Sequence, residues 1–402
     1  MDWSFLIKDK DALNVTTDSR RVVPGCIFVA LKGKHFDGND FVEQAKAAGA
    51  AYIISGENAL KELQDLARAW RRELGLPILG ITGTNGKTTT KELCAAVLST
   101  KYNLHYTQGN YNNSLGVPLT LLQLTRAHKM AIVEMGASHP GDIRELVEIA
   151  EPDYGLITNV GRAHLQGFGS FEGVMRTKAE LYDYIVAHNG IIFRNADNPY
   201  LEKMLEETIT HQHSPITNCL CYNTGAMPEG THLVGNYNAE NVSAAICVGK
   251  FFGVSEEDAL AAIRAYVPSN NRSQLMQTEH NTVVVDAYNA NPTSMQAAIE
   301  AFSNHKSEII NHKSDCYILG AMRELGEYSH LEHQNIVNML LERKADTVLL
   351  VGCEYRETTA PYPIFDDVDA LCTYLQAHPL NQQTILLKGS RSNQLEKVIP
   401  LL

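Results

Sequence analysis

The chain has 402 residues, 44% of them hydrophobic, so it is long enough for two to four domains and can bury sizeable cores. Lys and Arg number 34 against 46 Asp and Glu, and the net charge of −12 argues against a protein built to hold nucleic acid or an anionic membrane. No apolar run approaches the ~18 residues of a membrane span, which predicts that the chain does not insert into a membrane.

The start of the chain and its cysteines indicate the compartment. The first four residues, Met1 to Ser4, lack the basic flank and apolar stretch of a signal peptide. The eight cysteines are scattered without a CxxC pair, so we expect neither a zinc ribbon nor disulfides. Cys219 and Cys221 are predicted on one face of a strand, reduced and structural. We therefore expect a soluble cytoplasmic α/β protein.

A small α/β unit is predicted first. Strand-like runs alternate with helical patterns, and the last helix carries an apolar stripe of Leu and Trp residues that ends at Gly75. The predicted elements are 26–31, 39–48, 51–55 and 60–74. We place the first domain at residues 1–76.

The central part repeats strand, turn and helix, which favours a doubly wound parallel sheet. The predicted strands are 78–82, 130–135, 154–159, 190–194 and 217–222. Two helices are predicted at 237–252 and 255–265, and Pro268 with the polar residues after it marks a boundary. The second domain is therefore predicted at residues 77–268.

The last part is predicted to form a Rossmann-like domain over residues 269–402, because strands and helices alternate again. The predicted strands are 282–286, 316–319, 346–351 and 384–388. The predicted helices are 293–303, 329–343, 366–377 and 392–399.

The strongest local signal is a Gly-rich loop, 83–89, that joins the buried strand 78–82 to a helix. Glycines let backbone N–H groups wrap phosphate oxygens, Lys87 supplies a positive charge, and Thr88 can ligate Mg²⁺. The spacing is a shorter GxxGKT form of the common phosphate-binding loop. By itself this loop leaves kinase, GTPase and ligase open, although the absence of an NKxD tetrad argues against a GTPase.

Three further side chains are candidates at the same edge of the sheet. Glu134 ends the strand 130–135 and is a natural Mg²⁺ ligand, although a structural ion pair with a lysine is the alternative. His164 lies in the loop after 154–159, where a histidine is more often solvated than a ligand. Lys178 would by default be a surface lysine on a helix.

Four stretches together resemble the Mur ligases, ATP-dependent amide-forming enzymes of peptidoglycan precursor synthesis. They are 83–89, 107–118, 132–136 and 158–165. The N-terminal stretch 17–41 is similar to two members, one that adds the third peptide residue and one that adds D-alanyl-D-alanine. The stretches 286–295, 319–326 and 388–391 resemble the dipeptide-adding member, and the Asp-Asn-Pro-Arg tetrad that reads diaminopimelate is missing.

The resemblance implies a nucleotide and metal site. Lys87 and the loop residues Gly83, Thr84, Asn85, Gly86, Thr88 and Thr89 would hold the phosphates of ATP. Thr88 and Glu134 would bind one Mg²⁺ and His164 a second, together with Lys178, which matches a lysine that is carbamylated in the family. A carbamate turns this cation into an anionic oxygen ligand.

The resemblance also implies the remaining contacts. Asn110 and Asn113 match residues near the γ-phosphate and the acyl group, with Asn113 counted as catalytic beside Lys87, His164 and Lys178. On the nucleotide, Asn238 and Asn241 match the adenine side, Arg272 an interdomain arginine and Asp286 the ribose side. Ser19, Arg20, Asp37 and Gly38 would bind the uridine end of the substrate, and Asn289 and Asn291 the dipeptide.

The implied reaction adds D-alanyl-D-alanine to UDP-N-acetylmuramoyl-tripeptide with ATP and two Mg²⁺ ions, in a monomer. A carboxylate is a poor acyl donor, so phosphorylation to an acyl phosphate would precede attack by the amine. Three alternatives stay open: the third-residue ligase, disfavoured by 286–295; a folylpolyglutamate synthase, which lacks the N-terminal unit; and an idle nucleotide-binding scaffold. His330 and His333 are expected on a solvent face or in the dipeptide pocket.

Overall fold

Three β-sheets follow one another in a computed structural model that describes residues 2–33, 35–213, 218–235, 237–268, 271–304 and 314–402. Helices alternate with the strands in all three parts, which confirms the predicted α/β class. The predicted boundary after Pro268 falls beside residues 269 and 270, which lie outside the described part of the chain.

The N-terminal sheet has three short parallel strands in the order β1-β2-β3. Its elements are α1 (Ser4–Ile7), β1 (Val15–Thr16), β2 (Ile27–Val29), α2 (Val42–Ala47), β3 (Tyr52–Ile54) and α3 (Ala59–Leu74). The predicted strands at 26–31 and 51–55 are confirmed. The predicted helix at 39–48 begins instead as a 3-10 turn, Gly38–Phe41, because the Asp37 carboxylate accepts the Asn39 N–H and tightens the first turn.

Helix α3 confirms the predicted apolar stripe. Leu63, Leu66 and Trp70 are fully buried, and Gly75 ends the helix in the left-handed region at φ +60°. The stripe does not pack against the N-terminal unit alone, because the same buried cluster includes Leu121 and Leu146 from the central unit. The first two units therefore share a core.

The central sheet has six parallel strands in the order β5-β6-β4-β7-β8-β9. Its strands are β4 (Ile78–Thr82), β5 (Leu104–Tyr106), β6 (Met130–Glu134), β7 (Tyr154–Ile157), β8 (Ile191–Asn195) and β9 (Cys219–Tyr222). Sequence analysis missed β5, since a three-residue edge strand carries little pattern. Of the predicted strand 217–222, residue 217 lies outside the described residues.

Eight helices cover this sheet within the described residues: α4 (Lys87–Ser99), α5 (Gly116–Leu122), α6 (Asp142–Ala150), α7 (Leu165–Phe168), α8 (Phe171–Ala187), α9 (Pro199–Gln212), α10 (Asn238–Phe251) and α11 (Glu256–Ala265). Strands β4, β6 and β7 are almost fully buried, as expected for a sheet covered on both faces. Their carboxyl ends therefore open at one edge, where ligands bind in such sheets.

The C-terminal sheet has six strands in the order β10-β11-β15-β12-β13-β14. The elements are β10 (Gln274–Gln277), β11 (Thr282–Asp286), α12 (Pro292–Asn304), β12 (Ser314–Gly320), α13 (Ser329–Glu342), β13 (Thr347–Val351), β14 (Ile364–Phe365), α14 (Val368–Ala377) and β15 (Gln383–Lys388). The edge strand β10, antiparallel to β11, escaped prediction. The predicted helix 392–399 is wrong: two 3-10 segments, Arg391–Asn393 and Leu395–Leu401, replace it, and Pro400 stands inside the second.

The C-terminal unit docks on the central unit through polar contacts. The Asn291 side chain donates to Asn85 Oδ1 at 2.8 Å, and Thr293 Oγ1 accepts the Arg162 N–H at 3.0 Å. Arg162 also pairs with Glu332 at 3.0 Å. These contacts bring the carboxyl ends of the two large sheets face to face.

Two chain-wide findings bear on the composition argument. Among the helices of the described residues, none has the length and apolar character needed to cross a membrane. All eight cysteines are free thiols.

Candidate functional site

A cavity of about 890 Å³ lies between the central and C-terminal units. Residues at the carboxyl ends of β4, β6 and β7 form one wall, and residues at the ends of β11 and β15 form the other. The predicted site residues that line it are Thr84, Asn85, Gly86, Lys87, Thr88, Thr89, Asn113, Glu134, His164, Asn238, Asn241, Arg272, Asp286 and Asn289. Most of the predicted nucleotide and metal site therefore meets in one place.

The Gly-rich loop is shaped by close contacts that exclude side chains. At Gly83, with φ +145°, an added Cβ would lie 1.9 Å from Thr158 Oγ1, and at Gly86, with φ +77°, it would lie 2.3 Å from Asn241 Oδ1. The loop is also bonded to the strand-β7 side, because the Thr84 N–H donates to the Asn159 carbonyl at 2.9 Å. The loop conformation is therefore built before any ligand arrives.

Lys87 begins α4 and folds back over this loop. Its Nζ donates to the Gly83 carbonyl at 2.7 Å and to the Thr84 carbonyl at 2.9 Å. Enclosure in the site lowers the pKa of Lys87 to about 8, opposed by the Glu134 charge and assisted by Arg272. A phosphate entering the loop would meet a preplaced cation and a helix N-terminus.

Glu134 carries one satisfied and one unsatisfied oxygen. Its Oε1 accepts from Thr88 Oγ1 at 3.2 Å and from Asn112 Nδ2 at 2.9 Å. Its Oε2 is buried with no hydrogen-bond partner in the described structure, and the Lys91 ammonium stays 4.0 Å away. A buried carboxylate oxygen left free beside a threonine hydroxyl suits a divalent cation.

His164 meets a residue from the opposite wall. It precedes α7 with φ +50°, and its Nδ1 contacts the carboxylate of Glu324, which also holds a left-handed φ, +61°. Burial lowers the pKa of His164, and the Glu324 charge works against that effect. A carboxylate on one ring nitrogen fixes the orientation of the imidazole, and His164 is one of the residues that line the cavity.

Lys178 is not a surface lysine, which corrects the default interpretation. It lies on α8, is 2% exposed, and has its ammonium 5.5 Å from the centre of the Phe168 ring. Within the described structure no carboxylate comes into ion-pair distance of it. Burial therefore drives the pKa of Lys178 well below its ordinary value, and Lys87 adds to the effect.

Asn238 and Asn241 open α10 and brace the phosphate loop. Asn241 Nδ2 donates to Asn238 Oδ1 at 2.9 Å, and Thr90 Oγ1 donates to Asn241 Oδ1 at 2.9 Å. Asn238 Nδ2 donates to the Val234 carbonyl at 2.8 Å. Both amides line the cavity, and the Thr90 bond fastens α10 to α4 while the other two stabilise the start of α10.

The C-terminal wall presents two cations and a carboxylate. The Arg272 guanidinium stacks 3.8 Å from the centre of the Tyr288 ring, and its Nε is buried without a partner among described residues. The buried Lys388 ammonium lies 2.6 Å from Asp286 Oδ2 and 3.3 Å from the Asn289 carbonyl. Asp286 is thus anchored at the end of β11 and turned toward the cavity.

Two predicted asparagines have clear structural roles. Asn113 Oδ1 accepts the Gly116 N–H at 2.8 Å and so caps α5, while Asn291 Oδ1 accepts the Ser294 N–H at 2.9 Å and caps α12. Asn291 does not line the cavity; its amide reaches Asn85 across the domain boundary. Both residues therefore position elements around the cavity.

Eight predicted site residues do not line the cavity, and three of them, Gly83, Lys178 and Asn291, are described above. The other five belong to the predicted substrate set: Ser19, Arg20, Asp37, Gly38 and Asn110. Arg20 is exposed and pairs with Asp18 at 2.7 Å, and Gly38 packs where a Cβ would come within 2.6 Å of the Leu31 carbonyl. All but Asn110 belong to the N-terminal unit.

Sequence analysis missed several residues that complete the cavity. Asn112, and not the predicted Asn110 or Asn113, contacts Glu134. Glu324 contacts His164 from the opposite wall, and on the C-terminal wall Tyr288 stacks on Arg272 and Lys388 pairs with Asp286. An asparagine adjacent to the predicted pair was a usable signal, whereas no local pattern links Glu324 to His164.

The expectation for His333 is wrong. Its side chain is fully buried, Nε2 accepts the Met322 N–H at 3.0 Å, and the ring packs edge-on against Tyr355. His330 is outside this core and contacts the Glu357 carbonyl at 3.0 Å. Neither lines the cavity.

Three family models match consecutive parts of the chain. They are described as Mur ligase family, catalytic domain, over 13–96; Mur ligase middle domain, over 81–219; and Mur ligase, glutamate ligase domain, over 271–391. The first match runs into the central unit as far as α4, the second ends at the start of β9, and the third spans most of the C-terminal unit.

Individual proteins match over nearly the full chain. The UDP-N-acetylmuramoyl-tripeptide--D-alanyl-D-alanine ligase of Bacillus subtilis (strain 168) is 32% identical over 96% of this chain and 92% of its own length. A crystal structure of MurF from Acinetobacter baumannii aligns with a TM-score of 0.83 and 28% identity, over 96% of this chain and 92% of that one. The MurF ligase of Thermotoga maritima in complex with ADP aligns at 0.82 and 28%, over 98% of both chains.

Proposed function

The chain belongs to the Mur ligase family, and from that premise we propose that it joins D-alanyl-D-alanine to UDP-N-acetylmuramoyl-tripeptide. ATP is consumed, an acyl phosphate is the intermediate, and the product is a peptidoglycan precursor. The observation that carries the proposal is the single cavity that holds the phosphate loop and Glu134 on one wall and Asp286 and Asn289 on the other.

The nucleotide is assigned to the central wall of the cavity. The preformed loop 83–89 presents backbone N–H groups and the Lys87 ammonium to the β- and γ-phosphates. Arg272, stacked on Tyr288, and Asp286, held by Lys388, approach the nucleotide from the C-terminal wall. The ADP complex of the Thermotoga maritima relative supports nucleotide use.

We propose that the site binds two Mg²⁺ ions. Thr88 and the free oxygen of Glu134 would hold one, and His164 with Lys178, once that lysine carries a carbamate, would hold the other. The ions would offset charge on the transferred phosphoryl group and on the oxyanion. Lys178 suits a carbamate because its buried amine, without a carboxylate partner in the described structure, favours the neutral form that combines with CO₂.

The proposed reaction has two steps, phosphoryl transfer and then attack by the amine. The tripeptide carboxylate attacks the γ-phosphorus in line, ADP departs, and the Lys87 charge stabilises the oxygens of the moving phosphoryl group. The dipeptide amine then attacks the acyl carbonyl and phosphate leaves. Docking of the C-terminal unit through Asn291 and Arg162 closes the cavity and limits hydrolysis of the acyl phosphate.

The two substrates are assigned to separate ends of the molecule. The surface of the N-terminal unit with Ser19, Arg20, Asp37 and Gly38 would take the uridine nucleotide, with Asn110 nearer the acyl end. Asn289, which lines the cavity, would face the dipeptide in the C-terminal unit, and Asn291 would position the dipeptide wall through its bond to Asn85. The three units are assigned to residues 1–76, 77–268 and 269–402, and the protein is proposed to act as a cytoplasmic monomer.

The test measures ADP release from the purified full chain with UDP-N-acetylmuramoyl-tripeptides that carry either diaminopimelate or lysine. We expect release with D-alanyl-D-alanine, none with L-alanyl-L-alanine, and loss of release in Lys87→Ala but not in the surface variant Lys61→Ala. Turnover of the UDP-dipeptide with diaminopimelate or lysine, and none with D-alanyl-D-alanine, would overturn the proposal. ATP hydrolysis that is independent of any amine would indicate an idle nucleotide-binding protein.

The carbamate on Lys178 has its own test. Lys178→Ala should lose activity and recover part of it when short carboxylates are added, because they restore an anionic oxygen in the vacated space. ¹³C-labelled bicarbonate should give a carbamate NMR signal in the unaltered protein and none in the variant. A fully active Lys178→Ala, or a signal that persists in it, contradicts the assignment.

A further inference from the structure

Two cysteines outside the cavity form a dithiol pair. Cys219 and Cys221 are residues i and i+2 of strand β9, so their side chains project from the same face of the central sheet. Their sulfur atoms are 3.8 Å apart. Cys353 serves for comparison, because it is also exposed but has no second thiol in hydrogen-bond contact among the described residues.

Arg194 from the neighbouring strand β8 lies against this pair. It stands directly opposite Cys221 in the sheet register, and its Nη2 donates to Cys221 Sγ at 3.3 Å. The side chain is only 12% exposed, and its nearest carboxylate, on the half-exposed Glu202, is 3.7 Å away. The sulfur of Cys221 is therefore in contact with a largely buried cation.

The guanidinium has unused hydrogen-bonding capacity. Its Nε and Nη1 are buried and have no hydrogen-bond partner within the described part of the chain. A buried N–H group without an acceptor costs free energy, and a thiolate is a better acceptor than a thiol. The arrangement thus favours negative charge on the adjacent sulfur.

The two thiols differ in access. Cys221 is exposed to solvent, whereas Cys219 is partly covered by the helices on this face. Burial, and then the neighbouring Cys221, raises the pKa of Cys219 to about 11, which keeps this thiol protonated at neutral pH. Cys221 has the properties of an attacking thiol and Cys219 those of a resolving one.

The strand itself can accommodate a bond between them. β9 is the edge strand and is hydrogen-bonded to β8 alone. Alternate Cα atoms of a strand are ~6.6 Å apart, near the upper end of the ~4.4–6.8 Å that a disulfide spans. Closing the pair therefore contracts an edge that has freedom to move, and the strained bond would be readily reduced again.

We propose that Cys219 and Cys221 form a reversible dithiol–disulfide site, with Cys221 as the attacking thiol and Arg194 as the group that stabilises its thiolate. The co-reactant is a low-molecular-weight disulfide. The Cys221 thiolate attacks one of its sulfurs, the S–S bond breaks, and the first small thiolate leaves and takes up a proton. Cys219 then attacks Cys221 Sγ, loses its proton, and expels the second small thiol. The protein loses two electrons and the small disulfide gains them.

The test exposes the reduced full chain to oxidised glutathione. Free thiols are blocked with one alkylating reagent, the protein is then reduced, and newly freed thiols receive a second reagent before peptide mapping. We expect the second label on both Cys219 and Cys221 without a glutathione adduct, while Cys353 retains a stable adduct. Cys353 is the matched control because it is exposed and contacts the Glu354 carboxylate, where Cys221 contacts a guanidinium.

Three variants decide the roles. Cys219→Ser should accumulate glutathione on Cys221, and Cys221→Ser should leave Cys219 reduced. Arg194→Gln should slow alkylation of Cys221 about tenfold at pH 7, because the sulfur loses its contact with the buried cation, with Cys353 unchanged. Circular dichroism of each variant checks that the fold is kept. A stable glutathione adduct on Cys221 in the unaltered chain, or equal rates at Cys221 and Cys353, would overturn the proposal.

Discussion

The central unit has two neighbours, and the boundaries it shares with them are chemically different. Toward the N-terminal unit the boundary is a hydrophobic core. Helix α3 places Leu63, Leu66 and Trp70 in one buried cluster with residues of α5 and α6. Polar bonds are added at its margin, among them Gln64 Nε2 to Glu145 Oε1 at 2.9 Å.

Toward the C-terminal unit the boundary is mainly polar. The two buried clusters of that unit contain only residues after 282, and among the described residues Val234 is the partly buried side chain of the central unit that packs against them. A small apolar contact joins Tyr328 to Leu165 and Phe168. The polar contacts at this boundary include those of Asn291, Arg162 and Glu324.

The difference teaches which boundary can open. Separating an apolar core exposes its surface to water at ~25 cal/mol per Å², whereas polar groups that part from each other regain hydrogen bonds to water. We therefore expect the N-terminal and central units to move as one body and the C-terminal unit to detach and redock. A ligase that admits two substrates and ATP and then excludes water needs one boundary of the second kind.

The largest expected effect is on the apolar boundary. Trp70→Ala should lower the free energy of unfolding by about 3–5 kcal/mol, because it leaves a large cavity between the units. It also removes the indole N–H bond to the Leu124 carbonyl, 3.0 Å long. Urea denaturation measures the loss. Trp70→Phe, which keeps most of the ring, should cost less.

The same experiment tests whether the N-terminal and central units share a core. If the units share a core, Trp70→Ala shifts the unfolding of both in one transition. A separate early transition of the N-terminal unit, with the midpoint of the remaining protein unmoved, would show that the two are independent bodies.

A smaller effect is expected at the polar boundary, and on activity instead of stability. Asn291→Ser keeps a cap for α12 but is too short to reach Asn85. Losing one hydrogen bond of about 1 kcal/mol should lower kcat/KM roughly fivefold, since docking of the C-terminal unit weakens. The free energy of unfolding should stay within about 0.5 kcal/mol of the unaltered protein. A large loss of stability with kcat/KM unchanged would assign Asn291 to the cap alone.

The sequence predicted those parts of the site that one short segment builds. The run from β4 through Gly83 and Gly86 to Lys87 is a strand, turn and helix, in which close contacts leave no room for a side chain at either glycine. The place of Glu134 at the site could be predicted because it ends a buried strand. Short edges such as β5 and β10 carry too few residues for a pattern. The segment 392–399 has helical spacing, but Pro400 inside Leu395–Leu401 and the 3-10 geometry prevent an α-helix there.

The parts that escaped prediction are contacts between distant segments. His164 and Glu324 are 160 positions apart, and Asn85 and Asn291 are 206 apart, so only the docking of two folded units brings them together. Asn112 escaped for a different reason. Asn112 and Asn113 both line the cavity, but only Asn112 reaches Glu134 while Asn113 accepts backbone N–H groups at the start of α5, and a single sequence does not disclose that choice.

The smallest expected effect tests whether charge helps to hold the polar boundary. Arg162 is 59% exposed and Glu332 only 5%, so single variants mix loss of the pair with exposure of a buried carboxylate. A double-mutant cycle with Arg162→Gln and Glu332→Gln isolates the pair, for which we expect about 0.5 kcal/mol, or roughly a twofold change in kcat/KM, at low salt. At ~0.5 M NaCl the coupling should shrink, because screening acts on a pair that solvent reaches. The matched control is Arg72 with Glu151 at the apolar boundary, whose cycle should leave kcat/KM unchanged because that boundary does not open. Equal couplings in the two cycles would remove the distinction between the boundaries.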